Sequence, residues 1–155
     1  MILYLDSSSL IKRYVREVGS DEVTRAIDEA TPVATVTITR VEIAATLAKA
    51  VRLEALTREE AWKVHELFRA EWPDFVQLAV TDLLIAQADA LAWEHNLRGY
   101  DAVQLAAASL WQEMVNEPVT FSTFDRRLWM TAQNVGLMPH PQNLADLLAT
   151  QASQA

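Results

Sequence analysis

The opening residues constrain this chain most. Ile2-Leu3-Tyr4-Leu5 is a continuous apolar run that stops at Asp6 and the hydroxyl stretch Ser7-Ser8-Ser9. Such a run, bounded by polar turn residues, reads as a strand buried on both faces, as in a parallel sheet covered by helices. In open sheets of that kind ligands bind beyond the carboxyl ends of the strands, and Asp6 stands at one.

The rest of the chain alternates between the two periodicities. Leu10, Ile11, Tyr14 and Val15 fall at helical spacing, with Val18-Gly19 as the expected stop. Ser20 or Asp21 is positioned to cap a second helix carrying Val23, Ala26 and Ile27, which Pro32 ends. Val33-Ala34-Thr35-Val36 reads as a second strand. A long helix follows from Thr39 to about Leu53, then another from the capping-box sequence Thr57-Arg58-Glu59-Glu60 to a stop before Pro73. Phe75–Leu78 is the expected third strand, Thr81-Asp82 starts a helix continuing to Leu97, and Asp101–Ala108 is so uniformly apolar that it should be a buried helix. Pro118–Phe121 is a fourth strand, followed by a helix through Leu128, Trp129 and Ala132 to Gly136, with Leu137-Met138 as a short edge strand. Strands alternating with helices imply an α/β three-layer sandwich with a mainly parallel central sheet flanked by helices. One domain over residues 1–150 and a frayed tail over 151–155 complete the expected organisation.

Composition removes several chemistries. With 155 residues the chain is long enough to bury about 70% of its unfolded surface without a staple. It contains no cysteine, so thiol catalysis and thiolate metal sites are excluded. Its three glycines are too few for a glycine-rich phosphate loop or a dinucleotide fingerprint. No stretch approaches the roughly 18 apolar residues of a membrane span, and the expected location is the cytoplasm. The formal net charge of −8 argues against broad nonspecific binding to nucleic acid, but it is compatible with clustered carboxylates that hold cations.

Four acids stand out by position. Taken singly, each has a structural use: Asp6 as an N-cap, Glu42 in a capping box with Thr39, Asp101 at a helix start favoured by the macrodipole, and Asp125 as a cap competing with Ser122 and Thr123. Taken together, Asp6 and Asp125 follow strands, Glu42 begins the helix after another strand, and in a parallel sheet those ends share one edge. Asp101 reaches that edge from the start of an otherwise apolar helix. Converging carboxylates without basic partners repel one another, and a divalent cation resolves the conflict. Oxygen ligands, with no cysteine and three isolated histidines (His65, His95 and His140, expected at the surface), select Mg²⁺ or Mn²⁺ over Zn²⁺. Such a site suits phosphodiester hydrolysis.

Four segments carry a family resemblance. Leu5-Asp6-Ser7-Ser8-Ser9-Leu10-Ile11-Lys12-Arg13-Tyr14, Thr39-Arg40-Val41-Glu42, Leu97-Arg98-Gly99-Tyr100-Asp101-Ala102-Val103-Gln104-Leu105-Ala106 and Phe121-Ser122-Thr123-Phe124-Asp125-Arg126-Arg127-Leu128 resemble the PIN-domain nucleases, and most closely the VapC-type ribonuclease toxins of toxin–antitoxin pairs. The resemblance implies a PIN-like fold and an endoribonuclease dependent on Mg²⁺ or Mn²⁺, with Asp6, Glu42, Asp101 and Asp125 as the acidic metal-binding set and Ser8 and Thr123 in support. It also implies an RNA substrate, a homodimer, and a cognate antitoxin covering the acidic cleft. Gln104 stands where many relatives have histidine. Lys12, Arg13, Arg40, Arg98, Arg126 and Arg127 are the candidates for RNA phosphate contacts, and Trp62, Leu67 and Phe68 with their helical neighbours are the candidates for a dimer contact. Two other readings compete: a PIN-like module that binds RNA or protein without cleaving, and a small-molecule phosphatase or dehalogenase using Asp6 as nucleophile.

Overall fold

The computed structural model describes residues 1–154. Five strands, β1 (Ile2–Leu5), β2 (Val33–Val36), β3 (Val76–Leu78), β4 (Val119–Ser122) and β5 (Met138–His140), form one sheet in the order β3-β2-β1-β4-β5, with every neighbouring pair parallel. Eight α-helices connect or follow them: α1 (Ser7–Leu10), α2 (Ser20–Asp28), α3 (Thr39–Arg52), α4 (Arg58–Glu71), α5 (Asp82–His95), α6 (Gly99–Val115), α7 (Arg126–Asn134) and α8 (Leu144–Gln154). The chain order reverses on either side of β1, so the β1–β4 boundary is the topological switch point where a ligand crevice is expected.

The apolar opening is explained by burial on both faces. Tyr4, with Ala34, Val36, Val119 and Phe121, packs into a core roofed by α5, α6 and α7. Leu3 and Leu5 point the other way into a second core with Leu10, Ile43, Phe68 and Trp72. Alternate side chains of one strand thus serve two layers, and none of Leu3, Tyr4 and Leu5 reaches solvent. Tyr4 and Phe121 stack across the β1–β4 pair with ring centroids 5.4 Å apart.

Three local expectations need correction. The first helix stops early: α1 has one turn, a 3₁₀ turn covers Ile11–Arg13, and Tyr14 closes it. Gly19 does not end that helix; it begins α2 at φ +92°, and a Cβ there would run into the Phe124 ring. The last strand is Met138–His140 and accommodates Pro139 because β5 is an edge. Of the segment expected to fray, residues 151–154 are the exposed last turn of α8, and Ala155 lies outside the described residues. Among the described residues, no helix is long and apolar enough to cross a membrane.

Candidate active site

The site begins where β1 and β4 end side by side. Asp6 leaves the strand in extended geometry and caps α1, its Oδ1 accepting from the Ser9 backbone N–H at 2.9 Å and from Ser8 Oγ at 2.7 Å. Its Oδ2 accepts from Thr123 Oγ1 at 2.8 Å, across from the end of β4. Ser8 Oγ in turn accepts from the Phe124 N–H, and Thr123 Oγ1 from the Asp125 N–H, so the two strand exits are laced together. Asp6 is 3% exposed. Burial pushes its carboxyl up to about 7, the hydroxyls of Ser8 and Thr123 and the Ser9 amide pull against that, and nearby Glu42 adds to the rise.

Glu42 reaches the same place from the first turn of α3. The capping box expected with Thr39 does not form: Thr39 is the first residue of α3, and its N-cap is Ile38, which offers no side-chain cap. The Thr39 hydroxyl is instead buried, 2.8 Å from Thr35 Oγ1 and accepting from Gln104 Nε2 at 2.8 Å. Gln104 Nε2 also donates to Glu42 Oε2 at 2.6 Å, and Gln104 Oε1 accepts from the Tyr4 hydroxyl at 2.7 Å. A carboxylate free of its helix end is therefore held out toward the cleft by a buried amide. Burial raises the Glu42 pKa, opposed chiefly by the Gln104 hydrogen bond. Gln104 is the positioning residue that the candidate set lacked; its signal was a lone amide one turn after Asp101 within an apolar helix.

Asp101 lies in the first turn of α6, and Asp125 caps α7 by accepting from the Leu128 N–H at 2.8 Å. Arg98 bridges them, donating from Nε to Asp101 Oδ2 at 2.8 Å and from Nη2 to Asp125 Oδ2 at 3.1 Å. All four acids, with Ser7, Ser8, Arg98, Gly99, Tyr100 and Phe124, line one open cleft of about 570 Å³. The four carboxylates selected from sequence share this cleft; Ser8 also lines it, while Thr123 supports it from below.

The basic candidates divide. Arg98 alone of the six lines the cleft. Lys12 is buried, donating to Glu17 at 2.8 Å and to the Val18 carbonyl, with its ammonium over the Phe124 ring. Arg13 pairs with Glu71 and lines a different groove. Arg40 is exposed on α3, Arg126 borders a separate groove beside Trp129, and Arg127 donates to the His95 carbonyl. The histidines are each partly exposed at the surface rather than fully so. His140 Nδ1 lies 3.0 Å from Ser122 Oγ, and burial lowers its pKa. Among the dimer candidates Trp62 and Leu67 are exposed, but Phe68 is fully buried in the core against Trp72.

Among the described residues, no three acids or histidines close on one point as a ready-made ion cage. The donor chemistry nevertheless suits a hard divalent cation: Asp6, Glu42, Asp101 and Asp125 offer only carboxylate oxygens, and one guanidinium cannot balance four of them. These four are the residues that would hold Mg²⁺ or Mn²⁺.

The chain is 29% identical over 144 residues to ribonuclease VapC45 of Mycobacterium tuberculosis strain CDC 1551 / Oshkosh, covering 92% of this chain and 97% of that protein. Ribonuclease VapC49 of strain H37Rv matches with the same identity and coverage. FitAcB from Neisseria gonorrhoeae shares the fold at a TM-score of 0.65 and 18% identity, over 90% of this chain and 97% of that one. A toxin–antitoxin complex from Klebsiella pneumoniae does so at 0.58 and 20% identity, over 81% of this chain and 87% of that one. The PIN domain family model matches residues 3–133, a span that runs from β1 into α7 and includes every acid of the cleft, and the chain belongs to that family.

Proposed function

We propose that this protein is an endoribonuclease dependent on Mg²⁺ or Mn²⁺, acting in the cytoplasm as the toxin of a toxin–antitoxin pair. The observation that carries the reading is the convergence of four carboxylates, from two strand ends and two helix starts, on a cleft that only one basic side chain enters. Two relatives named as ribonucleases and a structural neighbour from a toxin–antitoxin complex support it.

When bound, a divalent ion supplies charge to the phosphodiester and acidifies a water. This chain's residues provide the rest. Ser8, Ser9 and Thr123 fix both oxygens of Asp6, so its carboxylate cannot rotate away from the cleft. Gln104 holds Glu42 at the cleft, and Asp101 and Asp125 are the more exposed acids, on the side where RNA would enter and where an antitoxin segment would compete for it. A homodimer is part of the proposal, with exposed Trp62 and Leu67 on its candidate face.

The test is cleavage of a cellular RNA pool with Mg²⁺ or Mn²⁺ by the parent protein, by folded Asp101→Asn and by the parent in EDTA. Cleavage by the parent, lost in both controls, is the expected result. An Asp101→Asn variant that cuts as well as the parent would remove the cleft from the chemistry. No cleavage by antitoxin-free protein would favour a PIN module that binds without cutting.

A further inference from the structure

The acidic cleft already holds a cation that belongs to the chain. Arg98 immediately precedes α6, and its guanidinium spans from Asp101 Oδ2 at 2.8 Å to Asp125 Oδ2 at 3.1 Å. Those two carboxylates sit on the open side, while Asp6 and Glu42 are tied from beneath by hydroxyls and by Gln104. The Arg98 side chain is 77% exposed, so no packing fixes it; the two carboxylates are what hold it. A guanidinium on Oδ2 of each carboxylate competes with a divalent cation for that oxygen, and its charge opposes the cation's approach to the pair. A freed guanidinium, by contrast, has the planar fork that grips a phosphate.

We propose that Arg98 is a displaceable counter-ion, which neutralises Asp101 and Asp125 when no divalent ion is bound, releases them when one loads, and then turns to the RNA phosphate. This rests on the nuclease reading of the cleft. The pairing makes Arg98 a built-in competitor for metal and a positioning residue for substrate.

Mn²⁺ binding to the full-length, metal-free protein, followed by the electron paramagnetic resonance of free Mn²⁺, tests it without reference to cleavage. Arg98→Gln should bind Mn²⁺ about two- to fivefold more tightly than the parent, the scale of an exposed ion pair. Arg98→Lys, which keeps the charge but loses the fork, should fall between them. With Ca²⁺ in place of Mg²⁺, Arg98→Gln should also bind a fluorescent single-stranded RNA several-fold more weakly. Unchanged or weaker Mn²⁺ affinity in Arg98→Gln overturns the competition, and unchanged RNA affinity overturns the phosphate role. In either case, metal-dependent cleavage by the parent would leave the nuclease reading standing. No Mn²⁺ binding by any of the three proteins would overturn both.

Discussion

At the scale of single residues, Asp6 shows how a site is maintained against its own cost. Three donors converge on its carboxylate, yet burial still raises the group from 3.8 to about 7, because neutral donors return less than removal from water costs an ion. The folded chain therefore holds a proton that the unfolded chain gives up between about pH 4 and 7. With more protons bound in the folded state, the metal-free protein loses stability as pH rises through that window and stays penalised above it. Asp6→Asn, which cannot ionise and still caps a helix, should be more stable than the parent by about 1–3 kcal/mol at pH 8 and nearly equal to it near pH 4, read by urea unfolding in EDTA. Lower stability at pH 8 would mean that the carboxylate's hydrogen bonds outweigh its burial. Other residues were less legible than Asp6, and the reason is three-dimensional. Thr39-x-x-Glu42 has the same letters whether Thr39 caps the helix or turns its hydroxyl inward; Thr35 and Gln104, distant in sequence, decide for the second. Lys12 looked like a phosphate ligand because nothing local announces that Glu17, the Val18 carbonyl and the Phe124 ring enclose it.

At the scale of elements, the alternation of strand and helix was readable throughout the first four strands, because each strand is a short apolar run and each connecting helix has an apolar stripe or a cap. Thr57 and Thr81 cap α4 and α5 as their local sequence requires, and Asp125 prevails over Ser122 and Thr123 at α7. Where the reading failed, the local signal was weak or was overridden. The expected helix from Leu10 to Val18 is cut short at Tyr14, whose hydroxyl is held by Glu71 of α4. The start of α8 went unread because only Leu144, Leu147 and Leu148 are less than fully exposed, and its other, small and polar residues carry no periodic pattern. Gly19 illustrates how a connection between elements serves the site: its left-handed backbone starts α2 while its bare Cα lets the Phe124 ring lie against it, and Phe124 lines the cleft. Gly19→Ala adds a methyl both where φ is +92° and where that ring sits. It should cost at least about 2 kcal/mol, visible as a lower midpoint in urea. A variant as stable as the parent would mean that the ring moves aside freely, and Lys12, which stacks over it, would have to move with it.

At the scale of the whole molecule, the question is how a chain of net charge −8 engages a polyanion. Lys12 and Arg13 are committed to Glu17 and Glu71, Arg16 to Asp21, and Lys63 to Glu59, and among the described residues Arg98 is the one basic side chain that lines the cleft. Binding to RNA by counterion release alone would thus be weak, and the carboxylates would repel the backbone unless a divalent ion reversed the local sign. This predicts an unusual pairing of dependences for the proposed RNA complex: an absolute need for divalent ion and a shallow response to monovalent salt. For single strands the slope of log K against log salt is about −0.7 per neutralised phosphate, so one or two contacts give a slope near −1. Fluorescence anisotropy of a short single-stranded RNA, titrated in KCl at fixed Ca²⁺, measures it. A slope several times steeper would locate the binding energy on basic surface outside the cleft, with Arg40, Arg126 and Arg127 as the first residues to substitute. Binding that survives EDTA would show that the acids do not govern access of RNA to this face of the sheet.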